Sequence, residues 1–108
     1  MFNGARNLVT IEKIIIKTDG SQVFNGAFDT CNSLENLTIE GTIGQNGLNL
    51  QWSTKLSRAS IESIANALSS TTSGLSITLS KTAKEAAFTD TEWADLIATK
   101  SNWTINLI

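Results

Sequence analysis

Residues 27–43 have the sequence Ala-Phe-Asp-Thr-Cys-Asn-Ser-Leu-Glu-Asn-Leu-Thr-Ile-Glu-Gly-Thr-Ile, and this stretch decides the predicted fold. Its apolar side chains fall at Phe28, Cys31, Leu34, Leu37 and Ile39. Spacings of three therefore give way to a spacing of two, which is the change expected where a tight turn runs into a β-strand. We expect this stretch to form one coil of a solenoid.

The same pattern occurs once more, nearer the N-terminus. In a turn-based alignment, Phe2, Ala5, Leu8 and Ile11 superimpose on Phe28, Cys31, Leu34 and Leu37. In a strand-based alignment, which gives a slightly shorter period, Ile11, Ile14 and Ile16 match Leu34, Leu37 and Ile39. The difference indicates a small insertion around Glu12 and Lys13, between turn and strand. Either period lies in the range of leucine-rich repeats.

A longer period runs through the C-terminal half. Three alternating segments, residues 48–50, 77–79 and 105–107, follow one another at a nearly constant separation. Each alternation predicts a short strand. The helix expected between the first two begins at the N-cap Ser57. Its apolar stripe comprises Ile61, Ile64, Ala65 and Leu68.

The second intervening region predicts two helical pieces. Residues 83–88 suggest a short helical turn, and Thr89 with Glu92 forms a capping box for a helix that buries Trp93, Leu96 and Ile97. Lys100 falls at the end of that helix, where a cation suits the dipole. Parallel strands joined by crossovers are therefore expected, stacked as one sheet with the helices on the opposite side.

These repeats predict a single α/β domain over residues 1–108, with short repeats over 1–43 and longer, helix-containing repeats over 44–108. One segment does not fit the repeat length, because Ile39 and Leu50 are too close in sequence to complete a coil. Residues 45–47, Gln-Asn-Gly, form either a local hairpin with an Asn-Gly turn or an incomplete coil. The sequence leaves these two alternatives open.

Composition excludes several classes of function. A net charge of −2 gives no basic footprint for nucleic acid. The longest apolar runs, such as Ile14–Ile16, are too short to insert into a membrane, and the N-terminus lacks the pattern of a signal peptide. Histidine is absent and Cys31 is the single cysteine, which removes the usual general base and the common metal ligands. We expect no enzymatic activity, no cofactor and no metal.

Most chemically suggestive residues have a structural explanation. Cys31 lies among the apolar repeat positions and is expected to fill the core. Asp90 and Glu92 stand in the first turn of a predicted helix, where acidic residues are favoured by the dipole, so with Asp95 they are not expected to form a catalytic pair. Trp93 and Trp103 fall on predicted core faces. Trp52, at a strand end, is the aromatic residue that we retain as a binding candidate.

Strand alternation predicts a binding face. If the apolar strand residues point into the core, their neighbours face outward on the sheet. Those neighbours are Thr38, Glu40, Asn49, Gln51, Ser76, Thr78, Thr104 and Asn106, and Ile15 and Lys17 would extend the face in the first coil. The face is polar and almost uncharged. It is either a recognition surface, as is common on solenoids, or a solvated surface without a ligand.

Residues 27–39 resemble the repeat of BspA-like bacterial leucine-rich-repeat proteins, in which an Ala-Phe pair, a Cys and a Leu-x-x-Leu-x-Ile strand recur. Residues 1–8, Met-Phe-Asn-Gly-Ala-Arg-Asn-Leu, resemble a related repeat, with Ala5 where Cys is usual. The region from Leu48 through Trp52 to Ile105 resembles the helix-containing end of such proteins from gut Firmicutes and their prophages. This resemblance implies a right-handed leucine-rich-repeat solenoid without catalytic residues.

The resemblance also implies a role. It suggests a module of a bacterial surface or prophage-encoded protein, extracellular or at the cell surface, that binds protein or glycan through its sheet face and serves adhesion. The alternative is a structural spacer or C-terminal cap of a larger repeat protein or phage particle. Because Met1 already lies inside a repeat, we expect neighbouring repeats of a longer parent chain to be partners.

Overall fold

A computed structural model of the chain describes residues 4–16 and 26–108. Within these ranges the elements are β1 (Thr10–Ile16), β2 (Asn36–Gly41), β3 (Asn49–Leu50), α1 (Arg58–Ala67), β4 (Leu75–Leu79), α2 (Lys81–Ala87), α3 (Asp90–Ala98) and β5 (Trp103–Leu107). All pairs among these strands are parallel. The predicted α/β class, with short parallel strands and helices in the C-terminal half, is confirmed.

The strands form two sheets: the three C-terminal strands share one sheet, as predicted, but β2 belongs to the other, so the polar ladder predicted to run on from β2 is not continuous. β1 pairs with β2, and β3, β4 and β5 form a second sheet in that order. In the second sheet Asn49 lies opposite Thr78 and Thr78 lies opposite Asn106, which confirms the predicted alignment of the three alternating segments. An isolated parallel bridge between Ile43 and Leu68 lies outside both sheets.

The register of β1 against β2 decides between the two alignments of the short repeats. Ile11 lies opposite Leu37, as the turn-based alignment requires, and the strand-based alignment is wrong. Ile14 then lies opposite Ile39, so the register shifts between Ile11 and Ile14. Between these two pairs β1 has one residue more than β2. The irregularity around Glu12 and Lys13 is thus a β-bulge within the strand and not an insertion before it, since a bulge accommodates one extra residue by a local kink.

Residues 44–47 form neither a hairpin nor a strand. Before them Ile43 bridges Leu68, and after them Leu50 pairs with Leu79, so the two flanking segments do not pair with each other. The amide oxygen of Asn46 accepts a hydrogen bond from the Ser76 N–H, 2.7 Å away. This bend carries the chain from the first sheet to the second.

Helix α1 begins at the predicted N-cap, since the Ser57 hydroxyl accepts from the Ser60 N–H. The helix lies beside β2 and not across a sheet from it. The Ser60 hydroxyl accepts a hydrogen bond from the Leu37 N–H at 2.8 Å, and the Ser63 hydroxyl accepts from the Ile39 N–H at 2.9 Å. Ser60 also donates to the Glu35 carbonyl. The helix therefore satisfies the edge of β2 where a further strand would otherwise pair.

The next two helices form, although α2 is longer and begins earlier than the predicted turn at 83–88, and of the three apolar side chains predicted to be buried in α3 only Trp93 is, with Leu96 and Ile97 half-buried. Residues 81–87 are α2, and Thr89 and Glu92 make both bonds of the capping box at the start of α3. The rings of Phe88 and Trp93 pack at a centroid distance of 5.6 Å. No helix among the described residues is long and apolar enough to cross a lipid bilayer.

One hydrophobic cluster runs through both sheets and the helices. Its most deeply buried side chains are Phe28, Leu34, Ile43, Leu48, Leu50, Ile61, Ile64, Leu68, Ile77 and Leu79. The cluster explains the positions of the strands, because each alternating segment turns its apolar side chains towards the same interior.

Ser60→Ala should destabilise the fold by about 1–3 kcal/mol, because it leaves the buried Leu37 N–H without an acceptor. The better helix propensity of alanine offsets this loss by a few tenths of a kcal/mol. Urea unfolding followed by circular dichroism measures the change. Thr82→Ala, which removes an exposed helical hydroxyl, is the matched control. Equal stability of the Ser60 variant and the native chain would contradict the assigned role.

Candidate functional site

The second sheet carries a polar face made of two rows. Asn49, Thr78 and Asn106 occupy one row across β3, β4 and β5, and Ser76 and Thr104 occupy the row beside it. Thr104 and Asn106 are exposed, and the other three residues are half-buried. Since adjacent strands lie about 4.8 Å apart, the longer row spans roughly 10 Å. The sheet thus brings together five of the predicted binding residues.

A pocket of about 290 Å³ opens at the β3 end of this face. Its lining comprises Gly26, Asp29, Gly47, Leu48, Asn49, Trp52, Ser76 and Thr78. Four of these residues belong to the predicted binding set: Asn49, Trp52, Ser76 and Thr78. Trp52 is half-buried, which is consistent with a side chain at the wall of a pocket. The predicted face therefore includes a concave site.

Two turns build the wall of the pocket opposite the strands. The Ser53 hydroxyl, just after Trp52, donates to the Cys31 carbonyl at 2.9 Å. This buried bond ties the turn after β3 to the turn at 26–31. As a consequence Asp29 and Trp52 line the same cavity.

Asp29 is the one lining residue with a polar side chain that no pattern in the sequence indicated. It belongs to the turn before β2 and precedes Asn49 by a long stretch of sequence. No local pattern indicates that this turn meets β3, because the contact depends on the bond between Ser53 and Cys31. Asp29 contributes the one charged side chain among the described residues that line the pocket.

The side chain of Asn49 is held in a defined orientation. Its amide oxygen accepts from the Gln51 N–H at 3.0 Å, and its amide nitrogen donates to the Gln51 side-chain oxygen at 3.4 Å. Gln51 is half-buried and is not among the lining residues, but it holds the side chain of Asn49, which is. One amide hydrogen of Asn49 has no acceptor within the described ranges.

Several polar groups of the pocket are available to a ligand. Within residues 4–16 and 26–108, no side-chain hydrogen bond engages the Asp29 carboxylate, the Trp52 indole N–H or the Thr78 hydroxyl. The Ser76 hydroxyl is equally unengaged there, since Ser76 bonds to Asn46 through its main-chain N–H. The lining therefore offers donors and acceptors in the same small space.

The remaining predicted residues lie elsewhere. Thr38 and Glu40 are exposed on the first sheet, where Glu40 pairs with Lys13 at 2.9 Å. Ile15 is 63% exposed on β1, and Lys17 lies outside the described residues. The predicted ladder is thus divided between two sheets, because the bend at 44–47 separates β2 from β3.

The residues interpreted as structural are buried or engaged. Cys31 is fully buried, and burial raises the pKa of its thiol. Trp93 packs against Phe88, and the Trp103 indole donates to the Ser69 carbonyl at 2.8 Å. The core interpretation of these three side chains is confirmed.

The acidic residues of α3 form ion pairs and a helix cap. Asp90 lies 2.9 Å from the ammonium of the buried Lys84, and the Glu92 carboxylate lies 2.7 Å from the Arg58 guanidinium. Lys84 therefore pairs with a carboxylate. A lysine that activates a nucleophilic serine would instead need to form a hydrogen bond with that serine. Asp95 is exposed, and the described residues contain no cluster of three potential metal ligands.

Comparisons with protein-family models, with curated proteins and with solved structures find no match to this chain. The chemistry of the site is therefore inferred from its own geometry.

The Cys31 thiol should react slowly with thiol reagents in the folded chain, because it is buried and its raised pKa disfavours the thiolate. Labelling with a chromogenic disulfide should become fast when guanidinium chloride unfolds the protein. A Ser101→Cys variant, which adds an exposed thiol, should show one fast and one slow reaction. Fast labelling of Cys31 under native conditions would show that the core opens readily.

Glu92 should make stability depend on pH. The Thr89 N–H and then the Arg58 guanidinium lower its pKa from 4.5 to about 2. On acidification the unfolded chain binds this proton first, so the contribution of Glu92 is complete above pH 4.5 and is lost towards pH 2. Glu92→Gln should flatten the dependence of Tm on pH across that window, whereas the exposed Glu85→Gln should leave it unchanged. Identical slopes in both variants would contradict this role.

Proposed function

We propose that this chain is a non-enzymatic leucine-rich-repeat module that binds protein or glycan through the polar face of its second sheet. The parent would be a bacterial surface or prophage-encoded protein with a role in adhesion. The observation that carries the proposal is the two-row face of Asn49, Thr78, Asn106, Ser76 and Thr104 with a pocket at its β3 end.

The strand registers support a repeat architecture. Paired residues lie at nearly constant separations, from Ile14 opposite Ile39 to Asn49 opposite Thr78. The bridge between Ile43 and Leu68 has a separation in the same range. Each segment therefore meets the segment about one repeat earlier, which is how coils of a solenoid stack.

The composition of the face supports recognition by hydrogen bonds. Its two rows carry hydroxyl and amide groups and no charge. Such groups both donate and accept, and flat arrays of them present a regular pattern to a ligand. Binding through this face should accordingly depend little on salt concentration, because there are few charges to screen.

The alternative function is a structural spacer or cap. β5 is the last strand of its sheet, and no strand within the described ranges pairs with its outer edge. A further repeat would satisfy those main-chain groups. This observation favours stacking on neighbouring repeats and is compatible with the same fold.

Two lysine substitutions on the sheet face test the proposal. The chain is titrated against immobilised extracellular-matrix proteins and mucin glycans, and Thr78→Lys and Asn106→Lys should each weaken binding at least about tenfold, because a charge would be desolvated at the contact. Ala94→Lys on the exposed side of α3 is the matched control. Chemical denaturation verifies that all three variants fold.

The outcomes separate the two functions. Loss of binding in both face variants, with the control unchanged, supports recognition through the sheet. If both variants bind as the native chain does, while deletion of residues 1–108 from the parent prevents its assembly, the spacer function is correct.

A further inference from the structure

We propose that the pocket between β3, β4 and the turn at 26–29 binds one ring of a neutral saccharide. This inference rests on the proposed binding function and assigns a ligand class to one part of the same face.

The lining matches the chemistry of a sugar ring. The Asp29 carboxylate accepts hydrogen bonds, the Trp52 indole N–H donates, and the Ser76 and Thr78 hydroxyls do both. A sugar presents hydroxyl groups that donate and accept in turn, together with C–H faces that pack on an aromatic ring. All these polar groups of the pocket therefore find partners on the same ligand.

Charged ligands fit less well. An anion would approach the Asp29 carboxylate with no cation in the described lining to offset the repulsion. An ammonium or guanidinium group could pair with Asp29 and lie over Trp52, but such a group donates hydrogen bonds and accepts none. It would leave the indole N–H of Trp52 and the second amide hydrogen of Asn49 without acceptors, which is costly on desolvation.

The pocket has the size of a single ring. Its volume of about 290 Å³ lies just below the range for pockets that hold drug-sized ligands, which begins at roughly 300 Å³. The rest of the polar face continues beyond it through Asn106 and Thr104. A saccharide could place one ring in the pocket and extend along the two rows.

The site is organised before a ligand binds. Gln51 holds the amide of Asn49, and the bond from Ser53 to Cys31 holds the two turns together. Two glycines line the cavity, Gly26 with a φ angle of 72° and Gly47 with one of 101°, a conformation that residues with a side chain adopt at a cost. Little ordering would therefore oppose binding.

NMR titration of the ¹⁵N-labelled chain tests the inference. The probes are methyl β-galactoside, methyl α-mannoside and N-acetylglucosamine, with N-acetyl-lysine amide (free side-chain ammonium) and sodium sulfate as charged comparisons. The three tryptophans give three indole N–H signals. At least one sugar should shift the Trp52 signal with a Kd of about 1 mM and leave the buried Trp93 and Trp103 signals in place.

Variants locate the site. Asp29→Asn and Thr78→Lys should each weaken sugar binding at least about tenfold. Asp95→Asn is the control for the first, and Ala94→Lys, on the exposed side of α3, is the control for the second. The native indole signals of Trp93 and Trp103 in each variant report that the core is intact.

Three results would overturn the inference. The first is no shift of Trp52 with any of the three sugars, and the second is a shift with the lysine derivative or sulfate and none with sugars. The third is sugar binding that survives both Asp29→Asn and Thr78→Lys. If these occur while Asn106→Lys still weakens binding of a macromolecular ligand, the pocket assignment fails and the function of the sheet face stands.

Discussion

The arrangement of this chain depends on two serine hydroxyls that end a sheet. Ser60 and Ser63 of α1 accept the main-chain N–H groups of Leu37 and Ile39, in the place where carbonyls of a further strand would stand. A strand edge left open in this way must otherwise pair with another strand or with water. Because a helix occupies that position, the first sheet ends at β2. The remaining strands, β3, β4 and β5, pair with one another in a second sheet.

The second sheet forms where the chain can continue to stack. After the bend at 44–47, β3 starts a new sheet. The segment that follows α1 is held by residues between α3 and β5: Lys100 donates to the Leu68 carbonyl, and Asn102 and Trp103 donate to the Ser69 carbonyl. Lys100 thus serves the C-terminus of α1, although its sequence position suggested the C-terminus of α3. These bonds tie the start of β5 to the segment between α1 and β4, and β5 pairs with β4 in the register that aligns the two polar rows.

The candidate site arises at the junction between the two parts of the molecule. Strands β3 and β4 supply amide and hydroxyl groups at regular spacing, and the turn before β2 supplies a carboxylate. The buried bond from Ser53 to Cys31 joins these parts. Cys31, which the sequence predicts to fill the core, contributes through its carbonyl and its burial.

Local sequence determined a large share of the structure: the N-cap at Ser57, the capping box at Thr89 and Glu92, and the alignment of the three alternating segments that make up the second sheet. Caps depend on residues a few positions apart, and alternation of apolar side chains depends on the strand itself, so both are visible in a sequence. The tertiary structure decided that α1 ends the first sheet, that the polar face is divided, and that Asp29 joins Trp52. These features depend on hydrogen bonds between segments far apart in the sequence, which no local pattern encodes.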